Sequence, residues 1–198
     1  MAIKSLQHSS ITDNIFYRSL LAGNTAFEPS DEDILAEQVL SSSAASVTFS
    51  GLDAYAADYQ HLQIRITALQ TGGGGGRLYM RMNDAGSYWN HFLIGTGSTV
   101  VSEGFSANGI RATNSLSVTA NQFTVAVMDI LDPFSTAKNK TVRTLQGNTG
   151  TFNAIGLQSG SWASTTAVDA ISFATGNIGY GDGGSLAIGS TFTLIGVK

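Results

Sequence analysis

The stretch His61–Ala68, HLQIRITA, alternates polar and apolar residues over its whole length. Successive side chains of a β-strand point to opposite faces, so this alternation predicts a strand with one buried face. The stretch Arg77–Met82, RLYMRM, shows the same alternation. The residues expected to face the core in these two strands are Leu62, Ile64, Ile66, Ala68, Leu78, Met80 and Met82.

Further strands are indicated on both sides of this pair. They are predicted at Val47–Phe49, Tyr88–Ile94, Gln122–Leu131, Thr141–Leu145, Phe152–Leu157, Val168–Thr175 and Ser190–Val197. No apolar pattern of helical period extends beyond a few turns, and parallel sheets need crossover helices between their strands. The sequence therefore predicts an all-β fold, an antiparallel sandwich or barrel.

The run Gly72–Gly76 separates the first two strands. A phosphate-binding loop of the Walker type needs Lys and then Ser or Thr after its last glycine, followed by a helix. Arg77 and Leu78 follow here and begin a strand instead. We expect a mobile hairpin tip that joins strands 61–68 and 77–82 and can be shortened to a two-residue turn with little change in stability.

The composition limits the classes of function. The chain has 198 residues, a formal net charge of −4, 12% charged residues and no cysteine. The lack of cysteine excludes a disulfide scaffold, a thiolate zinc site and a cysteine nucleophile. The low content of basic residues argues against nucleic-acid binding. No apolar run suits a signal peptide or a membrane span, so we expect synthesis in a cytoplasm and no membrane contact.

The first part of the chain differs from the rest. Residues 1–45 are predicted to form an irregular N-terminal arm, and residues 46–198 the β-sandwich. Residues 31–40 fit the beginning of a short helix capped by Ser30, and a strand from Ala36 onward is the alternative. Seven carboxylates between Glu28 and Asp58 form either a solvated face or an acidic surface that docks on a basic partner. The apolar residues of the arm that we expect to dock on a partner are Phe16, Tyr17, Leu20, Leu21 and Phe27.

The residue patterns of common catalytic and metal sites are missing from the sequence. The three histidines, His8, His61 and His91, do not have the spacing of metal ligands. No strand carries the paired carboxylates of a glycosidase, and no G-x-S-x-G turn is present. We therefore predict no catalytic residues, no metal, no cofactor and no enzymatic activity.

Two groups of residues are candidates for binding. If strands 61–68 and 77–82 form a hairpin, Gln63, Arg65, Arg77, Tyr79 and Arg81 share one face. That face could be solvated, could contact another subunit, or could bind an acidic ligand such as a carboxylate-bearing glycan. The two tryptophans, Trp89 and Trp162, pack in the core or stack on a sugar.

Several strings taken together resemble a family of virion structural proteins of tailed bacteriophages. This family is common among marine phages and is often described as tail-fibre-like or decoration-like. The strings that carry the resemblance are YRSLLAGN at 17–24, ASVTFSG at 45–51, YQHLQIR at 59–65, MRMND at 80–84, DILD at 129–132, KTVRTL at 140–145 and GSTFTLIGV at 189–197.

The resemblance implies a jelly-roll-like sandwich displayed on a virion. It implies a non-enzymatic structural protein that contacts other virion proteins and copies of itself, with a trimer favoured among the homo-oligomers. A second function remains open, in which the chain is an adhesin module of a tail fibre that binds host surface glycan. An ordered arm on a neighbour favours the structural function, and exposed aromatic residues in a groove favour the adhesin.

Overall fold

The computed structural model describes residues 31–73, 76–148, 153–176 and 184–198. The five arm residues predicted to dock, Phe16, Tyr17, Leu20, Leu21 and Phe27, lie outside these ranges. Contacts along the chain divide it into Met1–Asp33 and Ile34–Lys198, earlier than the boundary predicted at residue 45. None of the helices in the described ranges has the length and apolar character needed to cross a membrane.

The described chain is built almost entirely of β-strands. In chain order these are β1 Glu32–Val39, β2 Ser46–Ser50, β3 His61–Ala68, β4 Gln70–Thr71, β5 Arg77–Met82, β6 Tyr88–Gly95, β7 Val100–Ala107, β8 Ile110–Arg111, β9 Thr124–Leu131, β10 Lys140–Asn148, β11 Ala154–Trp162, β12 Ala170–Gly176, β13 Ser185–Leu186 and β14 Thr191–Val197, with a 3₁₀ helix at Leu52–Tyr55.

The strands form two principal sheets and one short pair. The larger sheet has eight strands in the order β1-β14-β3-β9-β10-β11-β6-β7, and the smaller has four in the order β2-β12-β5-β8. Strands β4 and β13 pair separately, and the registers are antiparallel. The predicted all-β class, with antiparallel sheets packed together, is confirmed.

The core lies between the two principal sheets. The seven residues predicted to face it from β3 and β5 are all buried, as expected from their alternation. They pack with residues of β12 and β14, where the rings of Phe173 and Phe192 lie 5.2 Å apart. Trp162 is also buried and its ring lies 6.2 Å from that of Tyr88, so this tryptophan packs in the core.

The predicted hairpin between β3 and β5 is wrong. Strand β3 pairs with β14 and β9 in the larger sheet, whereas β5 pairs with β12 and β8 in the smaller one. Both strands turn their apolar faces to the shared core from opposite sides. Their polar faces therefore point away from each other, and the five polar residues predicted to share a surface do not share one.

Residues 32–39 also differ from expectation. An irregular arm is predicted for residues 1–45, but Glu32–Val39 is an edge strand of the larger sheet. Of the two structures considered, the helix is wrong, and the strand is correct but begins at Glu32, four residues before the predicted Ala36. Apolar and polar residues alternate only weakly in this strand. None of its residues is fully buried, so its sequence carries no strongly apolar face.

The glycine run connects β4 to β5, and the Gln70 side chain bonds both of its ends. The buried Gln70 side chain donates to the Gly72 carbonyl at 2.9 Å and accepts from the Gly76 amide at 2.6 Å. A Cβ on Gly73 would lie 2.8 Å from the Gln70 amide nitrogen. At Gly73 the φ of +71° and this close approach both favour glycine, and the bonds from Gln70 fix the positions of Gly72 and Gly76. That the run can be shortened stays a prediction.

Candidate functional site

The outer face of the larger sheet carries the most unusual surface. In β10 the inward positions are mostly polar, namely Lys140, Val142, Thr144, Gln146 and Asn148, whereas Leu145 points outward. In β11 the inward positions include Gly156 and Gly160, whereas Ile155 and Leu157 point outward. The usual arrangement, with apolar residues inside and polar residues outside, is reversed over Thr144–Gln146 and Ile155–Gln158 of these two neighbouring strands.

Close packing inside the sandwich explains part of this reversal. A Cβ on Gly160 would overlap the side chain of Ile110 in β8, and one on Gly156 would lie 2.6 Å from the Gln146 amide nitrogen. Larger side chains therefore do not fit at these two inward positions, although β11 does place Gln158 and Trp162 inward. Ile155 and Leu157 occupy the opposite face, where there is room for them.

The registers join these outward residues into rows across the strands. Val127 lies opposite Leu145, Leu145 opposite Leu157, and Leu157 opposite Leu93. We call these four residues of β9, β10, β11 and β6 the apolar row. Val125 and Ile155 lie beside it on the same face and are also exposed.

A polar row runs parallel to the apolar row and lies two residues away from it on each strand that they share. It consists of Gln63, Asp129, Arg143, Ser159 and His91, from β3, β9, β10, β11 and β6. The two rows line a broad depression of about 1010 Å³, which we call the trough, and Ser102 and Gly104 of β7 complete its end. One wall of the trough is thus aliphatic and the other hydrogen-bonding.

The side chains of the polar row hold each other in place. Gln63 Nε2 donates to Asp129 Oδ1 at 3.0 Å, and Arg143 Nη2 lies 3.4 Å from Asp129 Oδ2. Arg65 Nε donates to Gln63 Oε1 at 3.0 Å, which extends the network to the row's end. Because Arg143 is largely exposed, its ion pair contributes only about 0–1 kcal/mol to stability. The network fixes side-chain positions more than it stabilises the fold.

The trough does not resemble a hydrolytic centre. Two carboxylate residues line it, Asp129 on β9 and Glu103 on β7, but Glu103 belongs to the opposite face of its strand, the face that bears Phe105. Four strand spacings of about 4.8 Å separate these strands, so the two groups lie roughly 19 Å apart. Glycosidase carboxylates lie about 5–9.5 Å apart. Within the described ranges, no cluster of three or more His, Cys, Asp or Glu could hold a metal ion.

His91 and Trp89 extend the exposed surface along β6. A Cβ on Gly104 would lie 2.7 Å from the His91 ring, so the imidazole occupies the space that a larger residue on β7 would fill. Trp89, two residues before His91 on the same face, is 59% exposed. The interpretation that Trp89 packs in the core is therefore wrong. The alternative, that its ring stacks on a sugar, stays a prediction.

The other predicted contact residues lie away from the trough. Tyr79 is buried in β5. Arg81 is held at a turn, where it donates to the Ala85 carbonyl at 2.8 Å and pairs with Asp84 at 2.8 Å. Arg77 also lies on β5, in the smaller sheet. Of the predicted cluster, only Gln63 and Arg65 belong to the surface described here.

A second polar group lies inside the sandwich, behind the trough. Gln146, Gln158, Thr144 and Asn148 each have a buried polar atom without a hydrogen-bond partner among the described protein atoms. Arg111 of β8 is also buried, with its guanidinium carbon 4.4 Å from the centre of the Phe92 ring and 5.7 Å from that of Phe105, and Phe92 is the register partner of Gln158. Burial, followed by repulsion from Arg77, lowers the pKa of Arg111 to about 10.

Comparison with known proteins finds no match for this chain. The chain matches no protein-family model, no curated protein and no solved structure. Its function must therefore be inferred from the geometry of its surfaces and from the resemblance of its sequence strings.

Proposed function

We propose that the chain is a non-enzymatic structural component of a tailed-phage virion. In this proposal it is an oligomeric surface protein, of fibre or decoration type, anchored to the particle by its N-terminal arm. The observation that carries the proposal is the outward position of Leu145, Ile155 and Leu157 on β10 and β11. Contiguous exposed apolar patches on soluble proteins commonly mark interaction surfaces.

The geometry of the patch supports contact with protein. Its aliphatic side chains lie on paired strands of an eight-stranded sheet, so the backbone positions that carry them are already fixed in the unbound chain. Such a surface loses little conformational entropy on binding. The adjoining polar row is already hydrogen-bonded internally and supplies a polar rim, as protein interfaces have.

The chemistry of the trough supports a non-enzymatic role. The Asp129 carboxylate accepts from Gln63 and pairs with Arg143, and the second carboxylate lies roughly four strands away. These groups can position and recognise a partner. They do not form the acid–base pair that hydrolysis of a glycan would require.

The proposal is tested by locating the chain on particles of the phage that encodes it. Purified particles are analysed by mass spectrometry and labelled with gold-conjugated antibody against the chain. We expect the chain on the particle surface in a fixed copy number. If it is abundant in infected cells but missing from purified particles, the proposal is wrong.

A glycan-binding adhesin is the second candidate, and exposed Trp89 favours it. An indole ring beside His91 and the polar row could stack on a sugar, with the row's amide and guanidinium groups bonding its hydroxyls. The test is binding of host surface polysaccharide by the intact chain. Loss of binding in Trp89→Ala, with partial retention in Trp89→Phe, would support the adhesin, and no binding by the unmodified chain would contradict it.

A further inference from the structure

Strand β7 ends the larger sheet and is exposed on three sides. Its partner on one side is β6, and the described chain places no strand on the other. Val100, on the trough face, is 73% exposed, and Val101, on the face towards the smaller sheet, is 48% exposed. An edge strand of eight residues therefore presents free main-chain groups together with apolar side chains on both faces.

This edge lacks the usual protection against pairing. Natural edge strands carry lysine, proline or bulges that block the approach of another strand. The sequence of β7, VVSEGFSA, has no lysine, arginine or proline, and Glu103 is its only charged residue. Glu103 lies opposite Phe92 of β6, on the face that bears Phe105.

We propose that the β7 strands of two copies of this chain pair antiparallel around a twofold axis, with Gly104 opposite Gly104. The pairing joins two larger sheets into one continuous sheet and brings both troughs onto the same face. It deepens the proposed function by specifying how copies contact each other, and it therefore rests on the protein being oligomeric. The β7 pairing predicts a dimer, whereas the resemblance to virion proteins favours a trimer.

The charges favour a second β7 over β1 as the partner. Strand β1, at the other edge of the sheet, carries Glu32, Asp33 and Glu37 and no basic residue. Head-to-tail pairing of β7 with β1 would bring these carboxylates beside Glu103. Pairing of β7 with itself involves only the two copies of Glu103, whose separation depends on the register.

Keeping both troughs on one face limits the register. Residues opposite each other in an antiparallel pair share a face, so the axis must pass through a residue position. Centring on Glu103 would place two carboxylates opposite each other. Centring on Gly104 places Glu103 opposite Phe105 of the second copy, Ser102 opposite Ser106, and Val101 opposite Ala107.

The register centred on Gly104 also gives each Glu103 a favourable neighbour. In each copy the Phe105 ring lies 6.0 Å from the Phe92 ring, and the Arg111 guanidinium lies between 4 and 6 Å from both ring centres. Glu103 of one copy would therefore lie beside an aromatic pair that carries a cation in the other copy. This arrangement is attractive in each half of the twofold pair.

The test uses the absence of cysteine from the chain. In the proposed register, position 102 of one copy lies opposite position 106 of the other. The Ser102→Cys/Ser106→Cys double variant therefore places two pairs of thiols within disulfide distance. Mild oxidation at micromolar concentration should convert most of it to a covalent dimer on a denaturing gel. Ser102→Cys and Ser106→Cys alone should give at most a few per cent, since neither thiol then faces another.

Light scattering of the unmodified chain provides a second measurement. We expect a mass twice that of one chain, and we expect Val101→Lys to weaken association at least tenfold without changing circular dichroism. A monomer at 100 µM, a trimer, or equal cross-linking of single and double variants would overturn the pairing. If the chain does not dimerise in these measurements but is incorporated normally into particles, the β7 contact is rejected and the virion function is not. A covalent dimer that never enters particles would support the pairing and reject the virion function.

Discussion

Leu145 and Leu157 lie directly opposite each other on β10 and β11, yet they are 50% and 58% exposed. Cross-strand apolar pairs normally stabilise a sheet by facing its core. Here the pair faces solvent, whereas the residues behind it, Gln146 and Gln158, are buried. The sheet is therefore built to present aliphatic side chains outward at this point.

The exposed pair should be dispensable for folding. Replacing both leucines (Leu145→Ser, Leu157→Ser) removes side chains that pack only partly, so we expect the free energy of unfolding to change by about 1 kcal/mol or less. Thermal or urea unfolding measures the change. A loss of several kcal/mol would show that the pair belongs to the core of the isolated chain.

Gly160 should tolerate no side chain. Because a Cβ there overlaps Ile110, Gly160→Ala should destabilise the fold by about 1–3 kcal/mol. Gly95→Ala is the matched control, since a Cβ at that strand position lies 3.9 Å from Ile155 and only makes an ordinary contact. Ile110→Ala removes the two Ile110 atoms that lie closest to that Cβ, so the cost of combining it with Gly160→Ala should be smaller than the sum of the two separate costs. Strict additivity would contradict the packing explanation.

The buried amide of Gln146 should be replaceable by an apolar group. Its nitrogen and oxygen have no hydrogen-bond partner among the described protein atoms, which costs about 1–3 kcal/mol for a buried polar group. We expect Gln146→Met to raise the melting temperature. Gln63→Met, which removes an amide bonded to Asp129, should not. A fall of several degrees for Gln146→Met would show that this amide is bonded in solution.

Asp132 should make stability depend on acid pH. The hydrogen bond from Lys138, followed by that from Gln60, lowers the pKa of this carboxyl below its ordinary 3.8. Its contribution is thus present above pH 3.8 and is lost as the pH falls through the lower folded-state pKa. Asp132→Asn should flatten the unfolding profile in that window, while Asp58→Asn serves as a control. Identical profiles for both variants would contradict this role.

The arm should be needed on the particle and not for the sandwich. In the full-length chain, Phe16, Tyr17, Leu20, Leu21 and Phe27 are replaced together by serine. We expect an unchanged melting transition and loss of incorporation into particles that lack the protein, because these residues are proposed to bury against a neighbour. Normal incorporation would reject the docking arm, and a lowered melting temperature would place these side chains against the sandwich.

The alternation of β3 and β5 was sufficient to predict their bounds and their buried faces. It could not predict their pairing, because strand partners are chosen by contacts distant in sequence. Strand β7 was missed because it is exposed on both faces and so shows no period of two. The trough was missed for a related reason, since in β10 and β11 the apolar residues face outward. In the sequence Leu145 and Leu157 look like core residues.

Incorporation in competition tests the central claim most directly. Equal amounts of unmodified chain and the Leu145→Asp/Leu157→Asp double variant are offered to particles that lack the protein, and bound peptides are quantified by mass spectrometry. Ile188→Asp, which changes an aliphatic residue 63% exposed and outside the trough, is the control. If the outer face of the larger sheet is the assembly surface, the double variant is excluded at least tenfold while the control is incorporated equally. Equal incorporation of the double variant would contradict the account.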